Sequence, residues 1–207
     1  YFNSGIYTVK LTTKNRNGCI DVITKTQYIT VNGPKAAFDT TLRNSCIGSN
    51  ILFADNSTSD GRNPITQWIW NFGDGTIDTL NSPTSITHAY TTPDSFSVSL
   101  KTIDAYGCTD FMSANNMINI STPKANFNSP DTTGCPNSTI SFTNTSLGSY
   151  ITFLWNFGDG TTSAEVHPTH SYAVNGSYTV KLTATNNYGC SNTKEISNFI
   201  DIVTPVA

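Results

Sequence analysis

The sequence predicts an all-β protein made of tandem β-sandwiches, and three observations carry that prediction. The chain repeats itself at a spacing of about 80 to 90 residues, as arrays of small domains do. Every strongly patterned segment alternates large apolar and polar residues with period two, which is the pattern of a half-buried antiparallel strand. Gly, Asn, Asp and Pro punctuate those segments every eight to twelve residues or so, the rhythm of a sandwich. No amphipathic helix of useful length interrupts them.

The repeats come first because they set the domain boundaries. Trp-Asn-Phe-Gly-Asp-Gly occurs at Trp70–Gly75 and again at Trp155–Gly160. Pro-Lys-Ala-x-Phe occurs at Pro34–Phe38 and Pro123–Phe127, His-x-Tyr at His88–Tyr90 and His170–Tyr172, and Tyr-Gly-Cys at Tyr106–Cys108 and Tyr188–Cys190. The offsets shrink from 89 at Pro34/Pro123 through 85 at Trp70/Trp155 to 82 at His88/His170. Loops therefore change length while the elements beside them keep register. The opening residues join the pattern, because Gly5-x-Tyr7-x-Val9-x-Leu11 matches Gly176-x-Tyr178-x-Val180-x-Leu182. The expected organisation is the last two strands of one module (1–32), complete modules at 33–121 and 122–204, and the start of a further module or a linker at 205–207. This phase reads as a window on a longer array. A lone hairpin is marginal in water, so the first 32 residues are expected to need upstream strands, from the same chain or another copy.

The strands follow from alternation. Trp68, Trp70 and Phe72 alternate with Ile69 and Asn71, as Phe153, Trp155 and Phe157 do with their neighbours. Tyr7-Val9-Leu11, Phe96-Val98-Leu100 and Tyr178-Val180-Leu182 put large side chains on one face, with Thr, Ser and Lys opposite. Ile51/Phe53 matches Ile140/Phe142, and Ile118/Ile120 matches Ile200/Ile202. About seven short strands around one small core make each module an immunoglobulin-like sandwich.

Composition excludes several classes of function. Of 207 residues 37% are hydrophobic, 11% aromatic and only 12% charged, against about 25% charged in an ordinary soluble domain. The polar surface must therefore be built from Thr, Asn and Ser, and the aromatics argue against disorder. Eleven basic and 14 acidic residues leave a net charge of −3, with no basic footprint for nucleic acid or anionic lipid. The apolar runs fall far short of the roughly 20 residues that insert into a membrane.

Taken together, Pro-x-Ala-x-Phe, a strand ending in Asn-x-Ser, Trp-Asn-Phe-Gly-Asp-Gly, His-x-Tyr and Gly-x-Tyr-x-Val-x-Leu-Thr resemble the PKD (polycystic kidney disease) repeat over essentially the whole chain. The resemblance implies immunoglobulin-like sandwiches that serve as spacers, adhesive modules or accessory domains in surface proteins and secreted enzymes. The variant with Cys before the second strand and Gly-Cys at the last hairpin is similar to repeats in giant surface proteins of gliding bacteria, many of them exported by type IX secretion. Asp94-Ser95-Phe96 departs from the Gly-x-Tyr pattern at one turn.

The motif residues divide into core, turn and candidate sites. Trp70, Phe72, Trp155 and Phe157 are expected in the core, where such sandwiches bury a Trp between their sheets. Gly73-Asp74-Gly75 and Gly158-Asp159-Gly160 are expected as tight turns, since Gly admits positive φ and Asp bonds its own backbone. Calcium is the alternative reading of those turns, with Asp55, Asp60 and Asn63 as further oxygen donors; otherwise no cofactor or metal is expected. His88 and His170 read as structural hydrogen-bonders, and the unpaired His167 does not make a metal site. No catalytic motif appears. Asp39-Thr40-Thr41, Asp78-Thr79-Leu80 and Asp131-Thr132-Thr133 resemble a bacterial O-glycosylation acceptor, which makes Thr40, Thr79 and Thr132 candidates.

Five cysteines imply an oxidising setting outside the cytoplasm. One cysteine at each position of each module argues for bonds within modules, Cys46 with Cys108 and Cys135 with Cys190. The simplest topology puts those two positions at opposite ends of the sandwich, so a bond between neighbouring modules, such as Cys46 to Cys190, is the alternative. The expected function is a non-catalytic structural or adhesive stalk at the cell surface. Its partners would be neighbouring modules of the same chain, other copies in a filament, or surface glycans. The rival expectation is an accessory carbohydrate- or protein-binding module of a secreted enzyme, marked by a row of exposed aromatics among Tyr28, Tyr106, Tyr150 and Tyr188.

Overall fold

The computed structural model describes residues 5–149 and 151–204; Tyr150 and the expected start of a further module at 205–207 lie outside the described residues. Every regular element among them is a strand, and no helix is long and apolar enough to cross a membrane. The chain forms two compact units. One comprises Tyr1–Arg43, Ser49–Tyr90 and Asp94–Asn119, the other Asn44–Gly48, Thr91–Pro93 and Ile120–Ala207.

In chain order the first ten strands are β1 (Gly5–Lys14), β2 (Ile20–Val31), β3 (Phe38–Thr40), β4 (Asn44–Ser45), β5 (Asn50–Asp55), β6 (Ile65–Asn71), β7 (Ile77–Leu80), β8 (Ile86–Ala89), β9 (Asp94–Asp104) and β10 (Thr109–Ile120). A five-stranded sheet of order β4-β10-β9-β6-β7 faces a three-stranded sheet of order β3-β5-β8. Between them lie Phe38, Ile51, Phe53, Trp70, Phe72, Val98 and Leu100, all buried. Trp68, whose counterpart is Phe153, is buried as well.

The next repeat has β11 (Phe127–Asn128), β12 (Thr133–Gly134), β13 (Thr139–Ser141), β14 (Thr143–Asn144), β15 (Thr152–Asn156), β16 (Thr162–Ser163), β17 (Thr169–Ser171), β18 (Gly176–Thr185) and β19 (Ser191–Ile202). Its five-stranded sheet runs β12-β19-β18-β15-β16, covered by the pairs β11-β14 and β13-β17. Trp155, Phe157, Phe142, Tyr172, Val180, Leu182 and Ile200 form its core.

The expected seven strands become eight in residues 33–121 and nine in 122–204, because the first strand changes sheets. β3 pairs with β5, whereas β4 belongs with β10; β11 pairs with β14, whereas β12 runs parallel to β19. In the second case β13 and β14 are also separated at Phe142, whose N–H is taken by the Pro168 carbonyl at 2.9 Å.

The hairpin β1–β2 copies the last hairpin of a complete repeat. Its register shifts between Tyr7 and Val9, as that of β18–β19 shifts between Tyr178 and Val180. The bulges are held alike: Gln27 donates its N–H to Thr8 Oγ1, Asn116 to Ser97 Oγ, and Asn198 to Thr179 Oγ1. Burial differs. Leu11 is 58% exposed where its equivalents Leu100 and Leu182 are 0% exposed, while Tyr7 and Val9 on the same face are partly buried, so the core face of the hairpin is open at Leu11. Truncating Leu182 to Ala is expected to destabilise its unit by about 2–5 kcal/mol, whereas Leu11→Ala should shift the urea midpoint hardly at all.

Candidate functional site: the Gly-Asp-Gly turn and the cysteine loops

The Trp strand leads its chain into a turn that only Gly can make. Gly73 has φ of 86°, and a Cβ there would meet the Ser97 carbonyl oxygen at 2.4 Å; Gly158 has φ of 87° and the same encounter with Thr179 at 2.5 Å. The turn is thus pressed against the bulged strand. Gly75 and Gly160 share the positive φ but have open space around them.

The intervening Asp reaches across to the other sheet. Asp74 Oδ2 lies 2.7 Å from His88 Nε2, and Asp159 Oδ2 lies 2.7 Å from His170 Nε2. Thr76 and Thr161 donate both N–H and hydroxyl to the other carboxylate oxygen. Each His ring stacks on the Phe of the motif, Phe72 at 4.1 Å and Phe157 at 4.3 Å between centroids, and meets Tyr90 or Tyr172 edge-on. The Tyr hydroxyls then donate to the Phe72 and Phe157 carbonyls at 3.0 and 3.1 Å. Each turn therefore joins the two sheets of its own repeat through Asp, Thr, His and Tyr. The Thr after Gly-Asp-Gly was not singled out from the sequence, although it occupies the same place in both motifs.

Electrostatics favour the ionised Asp. Burial pushes the carboxyls of Asp74 and Asp159 up, but bonds from Thr76 or Thr161 and from the His outweigh it and hold both below the ordinary carboxylate range. Burial, and then the nearby carboxylate, raise the Tyr90 and Tyr172 phenols.

These commitments bear on calcium. The turn carboxylates are spent on Thr and His, Asp55 accepts from the Ser57 N–H, and Asp60 accepts from the N–H groups of Arg62 and Asn63. Among the described residues no group of three or more His, Cys, Asp or Glu comes together. His167 accepts the Asn144 N–H through Nδ1. Of the glycosylation candidates, Thr79 and Thr132 are exposed, but Thr40 is buried and donates its hydroxyl to the Leu52 carbonyl at 2.8 Å. Thr40 therefore does not present an acceptor oxygen. Tyr28, Tyr106 and Tyr188 are exposed.

The cysteine pairing expected within modules is corrected. Cys46 is bonded to Cys190, with Cα atoms 5.3 Å apart, while Cys19, Cys108 and Cys135 are free and exposed. The reason is visible in the second complete repeat. Cys190 immediately precedes β19, whereas Gly134, next to Cys135, accepts a bond from Val203 just beyond the far end of β19. Twelve residues of strand, at about 3.3 Å each, hold the two apart by roughly 40 Å, and a bridge spans about 7 Å at most. Cys46 meets Cys190 because Ser45 accepts from the Ser121 N–H, and Ser121 Oγ in turn accepts from Asn186 Nδ2 at 3.1 Å in the Cys190 loop. That loop is tied by its first residue: the N–H groups of Cys19, Cys108 and Cys190 bond Oδ1 of Asn15, Asp104 and Asn186. The signal was present in the sequence as an Asn or Asp four residues before each Gly-Cys cysteine. Burial and the Asp104 carboxylate raise the Cys108 thiol.

A profile of the PKD domain matches residues 32–120 and again 121–200. The chain belongs to the PKD domain family. It is 47% identical over 68 residues to collagenase ColA of Bacillus cereus, which covers 31% of this chain and 7% of that protein. It is 44% identical over 54 residues to the pre-pro-metalloprotease PrtV of Vibrio cholerae, covering 26% of the chain and 6% of the relative. The chain therefore spans less than a tenth of the length of these curated relatives. Among solved structures, the PKD1 domain of PrtV is 37% identical, matching 39% of this chain and 99% of its own with a TM-score of 0.34. The PKD1 domain of Vibrio anguillarum Epp is 30% identical, matching 40% and 98% with a TM-score of 0.35. PKD repeats are non-catalytic modules, and here they occupy residues 32–120 and 121–200.

Two outcomes are expected of the PKD turn. Gly158→Ala should cost at least about 2 kcal/mol, since strain and a backbone clash combine, against about 1 kcal/mol for Gly160→Ala; denaturant midpoints would show the gap. The lowered Asp carboxyls stabilise the fold fully above the unfolded value of about 3.9, and that stabilisation is lost as pH falls through the folded value. The stability advantage of the native chain over Asp159→Asn, read from denaturant midpoints across pH, should accordingly shrink on acidification below about pH 4.

Proposed function

We propose that this chain is a non-catalytic, extracellular stalk segment of a large bacterial surface protein, in which successive PKD repeats are joined by short linkers and stapled by disulfides. The Cys46–Cys190 bond carries this reading, because it joins a residue of the first PKD match, 32–120, to a residue of the second, 121–200, across a sequence separation of 144. Pro123, directly after Ser121-Thr122, restricts the linker further. Low charge and a Thr- and Asn-rich surface suit a long-lived exposed protein. The cell surface of a gliding bacterium with type IX export is the setting this reading favours, through the cysteine variant of the repeat.

A second reading is an accessory module of a secreted enzyme, and one observation favours it: the relatives at 44–47% identity are a collagenase and a metalloprotease. In that role the repeats would engage a collagen-like or polysaccharide substrate through exposed aromatics such as Tyr106 and Tyr188.

Small-angle scattering of the intact chain and of Cys46→Ser separates a staple from an incidental bond. The stalk reading expects a longer maximum dimension and a more flexible profile once the bond is gone, and identical profiles would overturn it. Saturable binding of the oxidised chain to collagen or an insoluble polysaccharide would favour the accessory module instead.

A further inference from the structure

The three free cysteines stand in the same surroundings as the two that are bonded. Around Cys46, the Arg43 and Ser45 carbonyls accept from the N–H groups of Asn119 and Ser121. Around Cys135, the Thr132 and Gly134 carbonyls accept from Asp201 and Val203 in the same way. Both are therefore carried to the end of the last strand of their own repeat. Cys108 and Cys19 sit in loops of the Cys190 type, closed by Asp104 N–H to the Cys108 carbonyl at 3.0 Å and by Asn15 N–H to the Cys19 carbonyl at 3.0 Å, against 2.9 Å for Asn186 and Cys190. The observed bond shows what these two environments do when they meet. One supplies the strand-end cysteine, the other the hairpin cysteine of the following repeat.

We infer that the PKD repeats carry a one-step disulfide ladder, in which Cys135 bonds the hairpin cysteine of a following repeat and Cys108 and Cys19 each bond the strand-end cysteine of a preceding one. The ligand of each open position is a cysteine thiol of another PKD repeat. This rests on the array reading above and extends it, since every repeat would be stapled to both neighbours with no cysteine left over. Each rung joins two thiols into one S–S bond. Two protons are released, and two electrons pass to an oxidised dithiol, either that of an oxidoreductase or oxidised glutathione, whose own disulfide is reduced to two thiols.

The test uses the chain as it stands and a lengthened version. Refolded with reduced and oxidised glutathione, alkylated and digested without reduction, the 207-residue chain should yield a Cys46–Cys190 peptide and alkylated Cys19, Cys108 and Cys135. A Cys46–Cys108 or Cys135–Cys190 peptide would overturn the ladder. A second chain carries residues 33–204 again directly after Thr204. It should gain two linked pairs, Cys46–Cys190 within the appended copy and Cys135 of the first copy with Cys108 of the appended copy. The appended Cys46–Cys190 pair reports that the added repeats have folded. If it forms while Cys135 of the first copy remains alkylatable, the ladder is wrong and the array reading stands. A third chain, with only residues 122–204 appended, presents Cys190 to Cys135 by a separate route. Failure of Cys135 to pair in both lengthened chains overturns the ladder outright.

Discussion

Each sandwich depends on the contact between its Gly-Asp-Gly turn and the bulged strand beside it. Gly158 lies where any side chain would strike the Thr179 carbonyl, and this close approach aims Asp159 at His170 on the opposite sheet. The stacked Phe157, the edge-on Tyr172 and its bond back to the Phe157 carbonyl then follow from one backbone position. A small sandwich with one aromatic core gains from such a lock, because it ties the two sheets together at the mouth of the core. The lock is partly shielded: the Asp159 and His170 side chains are 20% and 15% exposed, so their interaction is screened less than that of a fully exposed pair would be.

The same turn explains why motifs that look like ligand sets act as structure. An acidic residue between two glycines, a Thr two residues on and a His nearby form a plausible donor set on paper. In the fold each donor is matched to another member of the set, so the chemistry closes on itself. The side chains that make a covalent link beyond the core are cysteines, Cys46 and Cys190. Their placement follows from a topological detail, the first strand's change of sheets, which carries a strand-end cysteine the full length of the sandwich away from the hairpin cysteine of its own repeat.

Much of this was legible from residue order. Alternation of Trp155 and Phe157 with Leu154 and Asn156 is a property of the strand itself, because successive side chains point to opposite faces whatever surrounds them. Burial of Trp70 and Trp155 and positive φ at Gly73 and Gly158 follow from that and from the turn. Thr40 was misread because a three-residue acceptor pattern contains no information on burial; its hydroxyl is turned inward by the pairing of β3 with β5.

What the sequence determined by itself was therefore local: repeat phase, strand faces, turn positions and the count of cysteines. What only the tertiary structure decided was which cysteine meets which. Disulfide choice depends on a separation of a few ångströms between residues 144 apart in the chain, and Cys46 is placed by the pairing of the two-residue strand β4 with β10. A pairing that brief leaves no periodic trace in a sequence, yet it helps decide where the Cys46–Cys190 cross-link falls.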